Sequence, residues 1–428
     1  MIFIIMKNRF RTIINGKEIR YFCYLTLFLF YVTAFLFDSP IDIFHGMKQI
    51  IQSRDVLITD YIELAGYGAT FFNVALVFTI AIIAIEIEKI PYTGLTIAAL
   101  FINACFSFWG KNCINILPII LGTYIYAHLQ GSNFGRYIYT ALFATCLAPF
   151  VTEVFYFVPF HPLMKLLIAI LCGIAIGFII PPIAAHTTTV HMGYILFNGG
   201  FAGGILAFII ACTLKSFGVE TNTSFIWHEG INKFLLIGFI FYFLFTFIFG
   251  LWLEHGNIHQ FNRITRHPGR AVADFILMDS PGATLMNMGF MGLIALVYIL
   301  LVKGDLSGPV IGCLLTVFGY SAFGAHPKNY IPVLLGVFLS TMFTKYNPND
   351  SSTLIAALFA VGLSPIAGQF GIIPGIIAGV LHSFVVVCTS LICGGFNLYN
   401  NGFSMGLVAI LMIPTIESFM KHFKMRKG

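Results

Sequence analysis

The chain has 428 residues, of which 58% are apolar and only 9% are charged. That leaves too few polar side chains to cover a soluble globule, so the protein belongs in lipid. A formal charge of +6 does not point to nucleic acid, because Lys and Arg stand at the ends of apolar segments instead of forming a stripe, and they read as topology signals.

A membrane-crossing helix needs about 20 mostly apolar residues. The first half offers segments near 20–37, 70–88, 92–109, 113–129, 137–158, 164–185 and 193–214. The second half offers 233–253, 283–302, 306–323, 329–344, 353–371, 373–393 and 402–419. The expected fold is all-α and integral to the membrane, with about 14 hydrophobic segments, or 12 if the short stretches 113–129 and 329–344 are re-entrant. A barrel is excluded, since the runs lack period-two alternation. The expected organisation is a cytoplasmic amino-terminal segment (1–19), a first membrane repeat (20–214), a polar linker (215–232), a second repeat (233–420) and a basic cytoplasmic tail (421–428). Lys7, Arg9, Arg11, Lys17 and Arg20 precede a long apolar run with no small-residue cleavage site after it, the pattern of a retained signal anchor. Residues 39–55 have the mixed charge of an interfacial helix.

Part of the chain occurs twice. Asp60 to Gly122 returns as Asp274 to Gly336 at a constant offset of 214, keeping Gly68-Ala-Thr70-x-x-Asn73 in register with Gly282-Ala-Thr284-x-x-Asn287. Lys89, Gly94, Gly110, Asn115 and Pro118 likewise meet Lys303, Gly308, Gly324, Asn329 and Pro332. A second match, at offset 202, sets Gly193-Tyr-Ile-Leu-Phe-Asn198-Gly199-Gly200-Phe201 against Gly395-Phe-Asn-Leu-Tyr-Asn400-Asn401-Gly402-Phe403. Repeats of this size in apolar sequence mark transporters and channels, where two copies enclose one pathway. Seven spans per half would invert the second copy, and that topology places 15 of the 23 basic residues on the cytoplasmic side together with both termini. Six spans per half would make the copies parallel and strand Arg263, Arg266 and Arg270 outside, so the inverted arrangement is favoured.

The second repeated motif sets Gly and Asn in otherwise apolar segments, a composition that disfavours continuous helix. Broken helices are tolerated in lipid only where the freed backbone faces protein or a cavity. Asn198, Gly199 and Gly200, with Asn400, Asn401 and Gly402, are therefore the expected substrate-binding breaks, the alternative being close helix packing with the Asn pair as glue. Thr70, Asn73, Thr284 and Asn287 join them as candidate solute contacts. Asp60 and Asp274 are candidates for proton or cation coupling, against a role as helix caps. Glu153, whose counterpart is Gln369, and His186 and His191, which bracket three threonines, complete the coupling or gating set. Nine scattered cysteines without a Cys-x-x-Cys pair give neither a disulfide framework nor a thiolate site, and neither metal nor cofactor is expected. With no phosphate loop, nucleotide-driven pumping by this chain is not expected.

The pattern resembles an uncharacterised bacterial family of multi-pass membrane proteins with a duplicated domain of unknown function, over nearly the whole chain. That resemblance implies a bacterial inner membrane and supplies no activity. A looser likeness is to urea transporters, which are also duplicated with inverted halves. Pro91-Tyr-Thr-Gly94-Leu resembles their Asn-Pro-x-Thr-Gly-Leu stretch, Leu117-Pro-Ile-Ile-Leu-Gly122-Thr their Leu-Gly-x-x-x-Gly-Thr, and Gly193 to Gly204 their Gly-Tyr-Asn-Gly segment. This chain departs from them in having more spans per half and a later Gly-Asn motif.

The leading expectation is a secondary transporter or channel for a small polar solute or ion, with its pathway at the interface of the repeats. Its partners are the lipid bilayer and that solute, with a homo-oligomer allowed and no nucleic acid. The alternatives are a membrane enzyme acting on a lipid-linked substrate, for which no catalytic signature is present and only Arg263, Arg266, His267 and Arg270 offer material, and a non-transporting scaffold.

Overall fold

A computed structural model describes residues 17–55, 57–219 and 224–425. Lys7, Arg9 and Arg11 of the amino-terminal basic cluster, and Arg426 and Lys427 of the tail, lie outside the described residues. The first repeat contains α1 (Lys17–Phe37), α2 (Pro40–Gln52), α3 (Tyr61–Ile87), α4 (Gly94–Phe106), α5 (Leu117–Leu129), α6 (Phe134–Phe157), α7 (Pro162–His191) and α8 (Asn198–Ser216). The second contains α9 (Lys233–Leu253), α10 (His259–Ile264), α11 (Phe275–Met278), α12 (Pro281–Leu301), α13 (Gly308–Tyr320), α14 (Pro327–Ser340), α15 (Ser351–Phe370), α16 (Ile372–Ile392) and α17 (Asn400–Met425). The chain is thus an all-helical membrane protein built from two copies of one unit. Among the described residues ten helices are long and apolar enough to cross a membrane, five in each half: α1, α3, α6, α7 and α8, then α9, α12, α15, α16 and α17.

Local chemistry sets the helix starts. Asn232 accepts the amides of Phe234 and Leu235 to open α9. Ser280 ahead of Pro281 opens α12, and Ser307 ahead of Gly308-Pro309 opens α13. In each case a side-chain oxygen takes an amide that the first helical turn leaves unpaired. The strands β1 (Leu57–Thr59) and β2 (Ser224–Ile226) pair in parallel, Leu57 opposite Ser224, and tie the approach to α3 to the approach to α9.

The centre of the molecule is a pair of helices too short to span. Apolar runs near 92–109 and 306–323 suggested crossings, yet α4 and α13 have 13 residues each. At about 1.5 Å per residue they reach about 20 Å, against about 30 Å of hydrocarbon. Each ends in a turn through a glycine with positive φ, Gly110 (77°) or Gly324 (94°), and leads into a second short helix, α5 or α14. Their apolar character answers to protein instead of lipid: every residue of α13, and all of α4 except Leu95, is buried.

The two short helices pack against each other antiparallel. The first residue of α4, Gly94, donates to Asp274, which also bridges to Phe323 just past the end of α13. The first residue of α13, Gly308, donates to Asp60, which bridges to Trp109 just past the end of α4. Further contacts are exchanged in the same reciprocal way. Leu196, between α7 and α8, donates to Gly362 in the 3-10 break of α15 at 2.9 Å. Leu398, between α16 and α17, donates to Cys146 in the 3-10 break of α6 at 3.0 Å.

Candidate functional site

Asp60 and Asp274 bind the repeats together. The carboxylate of Asp60 accepts Ile62 N at 2.9 Å in its own helix, Gly308 N at 3.0 Å in the other repeat and His228 N at 3.1 Å. Asp274 accepts Gly94 N at 2.9 Å and Leu95 N at 3.1 Å. A carboxylate at a helix start satisfies amides with no intrahelical partner and meets the positive end of the helix dipole. Glycine is required at 94 and 308 by proximity: a Cβ there would run into the Ala322 carbonyl or the Asp60 carboxylate. Burial pushes the Asp60 carboxyl up to about 6, against the opposing pull of the amides of His228, Ile62 and Gly308.

Asn73 and Asn287 lie within their own repeats and clamp the turns after α4 and α13. Asn73 Nδ2 donates to the carbonyls of Ser107 and Lys111, both at 2.8 Å, and Asn287 Nδ2 to those of Ser321 and Ala325 at 2.7 and 2.8 Å. Thr70 and Thr284 donate back to the carbonyls of Gly66 and Ser280 on the same helix face.

The Gly/Asn motifs sit at the first turns of α8 and α17, which cross at Gly200 and Gly402 with no room for a side chain between them. Gly199 packs on Phe143. Rings occupy the space beside the crossing. Phe197 stacks on Tyr399 with centroids 4.8 Å apart, and Tyr399 OH bonds Tyr320 OH at 2.6 Å.

The two Asn residues nevertheless differ. Asn198 Oδ1 accepts from Thr187 Oγ1 at 2.7 Å and faces His191 Nε2 at 2.9 Å. The second repeat has Cys393 where the first has His191, and Asn400 Oδ1 is buried with no hydrogen-bond partner among the described residues. Asn400 lines a cavity of about 320 Å³ together with Asn397, Asn401, Ser352, Ser390 and Trp109. A neighbouring cavity of about 260 Å³ shares Ser352, Val386 and Val387 and adds Ser340, Thr341, Thr344, Thr353 and Ser383. Neither wall contains an Asp, Glu, Lys, Arg or His. Asn401 is held by His382, whose Nε2 lies 3.1 Å from its Oδ1.

The remaining candidates are scattered. His186 is exposed on α7, while His191, one turn and a half later, is buried against Asn198. Glu153 is buried and ion-paired with Arg54, whose guanidinium lies over the Tyr156 ring at 5.3 Å. Beside this pair, Asp55 accepts Tyr61 OH at 2.8 Å and Ser53 Oγ at 2.9 Å, and burial pushes its carboxyl up to about 7.

Sequence reasoning passed over Asp55 and, more consequentially, Lys111. Lys111 stands in the turn after α4 and is 0% exposed. Its Nζ donates to Asn103 Oδ1 at 2.9 Å, lies over the Phe106 ring at 5.2 Å, and pairs with no carboxylate among the described residues. The available signal was its counterpart at offset 214, Ala325: a charge against an alanine in an otherwise matched stretch.

Fold and site together define a duplicated multi-pass helical membrane protein whose copies interlock at the centre. The chain belongs to the family described as "Protein of unknown function (DUF1576)", which matches residues 39–216 and again 253–418. No curated protein and no solved structure matches the chain, so the likeness to urea transporters rests on the residues quoted above.

Proposed function

We propose that this protein is a membrane transporter for a small neutral polar solute. The observation that carries the reading is the uncharged, amide- and hydroxyl-lined cavity beside α17, at which Asn400 keeps a buried carbonyl oxygen without a partner among the described residues. A buried unpaired acceptor costs about 1–3 kcal/mol, a cost that a donor on a bound solute would offset. Walls without a charged group disfavour an ion, whose desolvation they could not balance. Asn400, Asn401 and Ser390 are the assigned solute contacts. Asp60 and Asp274 hold the short central helices in place, and Asn73 and Asn287 hold the turns.

The antiparallel α4 and α13 support inverted repeats, as does the odd number of long helices in each half. With the termini on the cytoplasmic face, the loop of Arg263, Arg266 and Arg270 falls on that face of a bacterial inner membrane. Rings of Phe197, Tyr320 and Tyr399 fill the space beside the crossing of α8 and α17, so passage requires the repeats to move against each other, as in a carrier.

The test is stopped-flow light scattering on proteoliposomes shocked with urea, glycerol or sorbitol. The reading expects at least one of these to enter faster than into protein-free vesicles, and Asn400→Leu to slow that entry about tenfold, the equivalent of about 1.4 kcal/mol. Entry no faster than in protein-free vesicles for all three, with no shift of the melting temperature by any, rejects it.

A further inference from the structure

The transport reading uses the cavity and leaves unexplained a lysine buried at the heart of the fold. Lys111 has no ionic partner among the described residues and one hydrogen-bond acceptor, Asn103 Oδ1, which Thr145 Oγ1 also approaches at 3.1 Å. A buried ammonium without a counter-ion is costly, and an ionisable group kept at such depth calls for a role beyond packing. The second repeat shows that the architecture does not need it. Where the first repeat has Asn103, Lys111 and Thr145, the second has Val317, Ala325 and Val361, and its turn still closes through Gly324 and the Asn287 clamp. The polar trio was therefore gained or retained in one copy only.

Its position links it to the cavity. Trp109, two residues before Lys111, lines the cavity. Leu398, another wall residue, packs over Gly110, next to Lys111. The amide of Leu398 donates to the carbonyl of Cys146, which follows Thr145 directly. A change of charge at Lys111 thus acts on both the turn that carries Trp109 and the connector that carries Asn397 and Leu398.

We infer that Lys111 Nζ is a proton-binding site whose ammonium and amine forms set the position of the cavity wall; its part in a transport cycle rests on the reading above. The step is a single proton transfer. The ammonium gives one N–H proton to a water molecule admitted when Trp109 and Leu398 shift, keeps the electron pair on nitrogen, and recovers a proton when the wall resets. The other titratable groups around it are Cys105 on α4, Cys146 in the break of α6, Tyr399 across Phe106, Asp60 bridged to Trp109, and Asp55 behind Tyr61. Asp55 and Asp60, whose carboxyls burial raises towards neutrality, are the groups to control for.

Trp109 is the reporter. With Trp227 and Trp252 replaced by Phe it is the single tryptophan, since the chain has three. Its fluorescence in the reconstituted full chain, followed from about pH 5.5 to about pH 9.5, is expected to show a one-proton transition that persists in Asp55→Asn and Asp60→Asn and vanishes in Lys111→Met and Lys111→Ala. The alanine variant copies the second repeat, so it guards against loss of fold. A transition that survives both lysine variants, or a flat profile in the parent, overturns the proposal. So does a parent signal that follows chloride concentration instead of pH, which would replace the proton by a bound anion. Solute entry without a Lys111-dependent transition defeats this inference and leaves the transport reading standing. The transition without entry of urea, glycerol or sorbitol does the reverse.

Discussion

The carboxylate of Asp60, in the first repeat, accepts the amide of Gly308, the first residue of a helix in the second, at 3.0 Å. The relation is returned by Asp274 and Gly94, so each repeat caps the short helix of the other. Two helices that would be too short to stand alone in lipid are thereby held at both ends by the partner copy.

Removing one latch should weaken the whole fold. Asp60→Ala leaves the amides of Ile62 and Gly308 without their acceptor, and loss of an N-cap costs about 1–2 kcal/mol before the second helix is considered. Asp60→Asn keeps an acceptor oxygen and should be milder. Melting temperatures in detergent check the order, with Asp274→Ala expected to mirror Asp60→Ala. An unchanged melting temperature in Asp60→Ala would show that the reciprocal caps do not stabilise the assembly.

Asp55 gives a pH dependence whose sign follows from burial. Its carboxyl is raised from 3.8 to about 7, so between those values the folded chain holds more protons than the unfolded one. The stabilisation this group confers is full below about pH 4, declines as pH rises, and is gone above about pH 7. Asp60, raised to about 6, acts in the same direction over a narrower window. Asp55→Asn should therefore flatten the fall in melting temperature between acid and neutral pH, and a profile parallel to the parent's would contradict the burial argument.

Glu153 and Arg54 are unequal partners. Glu153 is 1% exposed and Arg54 34%, so removing the arginine strands a carboxylate in the interior, whereas removing the acid leaves a guanidinium that water can reach. Arg54→Met should cost about 3–5 kcal/mol, the range for breaking a buried pair from one side. Glu153→Gln copies the residue at the matching place, Gln369, and should cost clearly less. Equal losses in thermal or denaturant unfolding would mean the pair is solvated as a unit.

Much of this architecture was legible in the residues. The duplication, the helical class and most long crossings follow from apolar runs and from the Gly68/Gly282 and Gly193/Gly395 matches. The short central pair was not, because a helix sheathed by protein is as apolar as one sheathed by lipid, and only the reciprocal contacts of Gly94 and Gly308 reveal the difference. The cavity was not legible either. Asn198 and Asn400 look alike in sequence, and what separates them is the replacement of His191 by Cys393 seven residues upstream. Lys111 was masked because attention to matched positions passes over a residue whose counterpart is alanine.

That difference between Asn198 and Asn400 makes the last prediction. Asn198 Oδ1 serves Thr187 and His191; Thr187 keeps the Ala184 carbonyl at 3.1 Å, but Asn198→Leu strips His191 Nε2 of its partner and should lower stability by about 1–3 kcal/mol. Asn400 Oδ1 has no partner among the described residues, and its amide makes one long bond to the Val386 carbonyl at 3.4 Å. Asn400→Leu should therefore leave the melting temperature near that of the parent while cutting solute entry into proteoliposomes. Two symmetry-related substitutions would then fail in opposite ways, one in folding and one in function. If both variants melt early, or if Asn400→Leu transports normally, the free oxygen is a packing remnant and the cavity beside it is not the binding site.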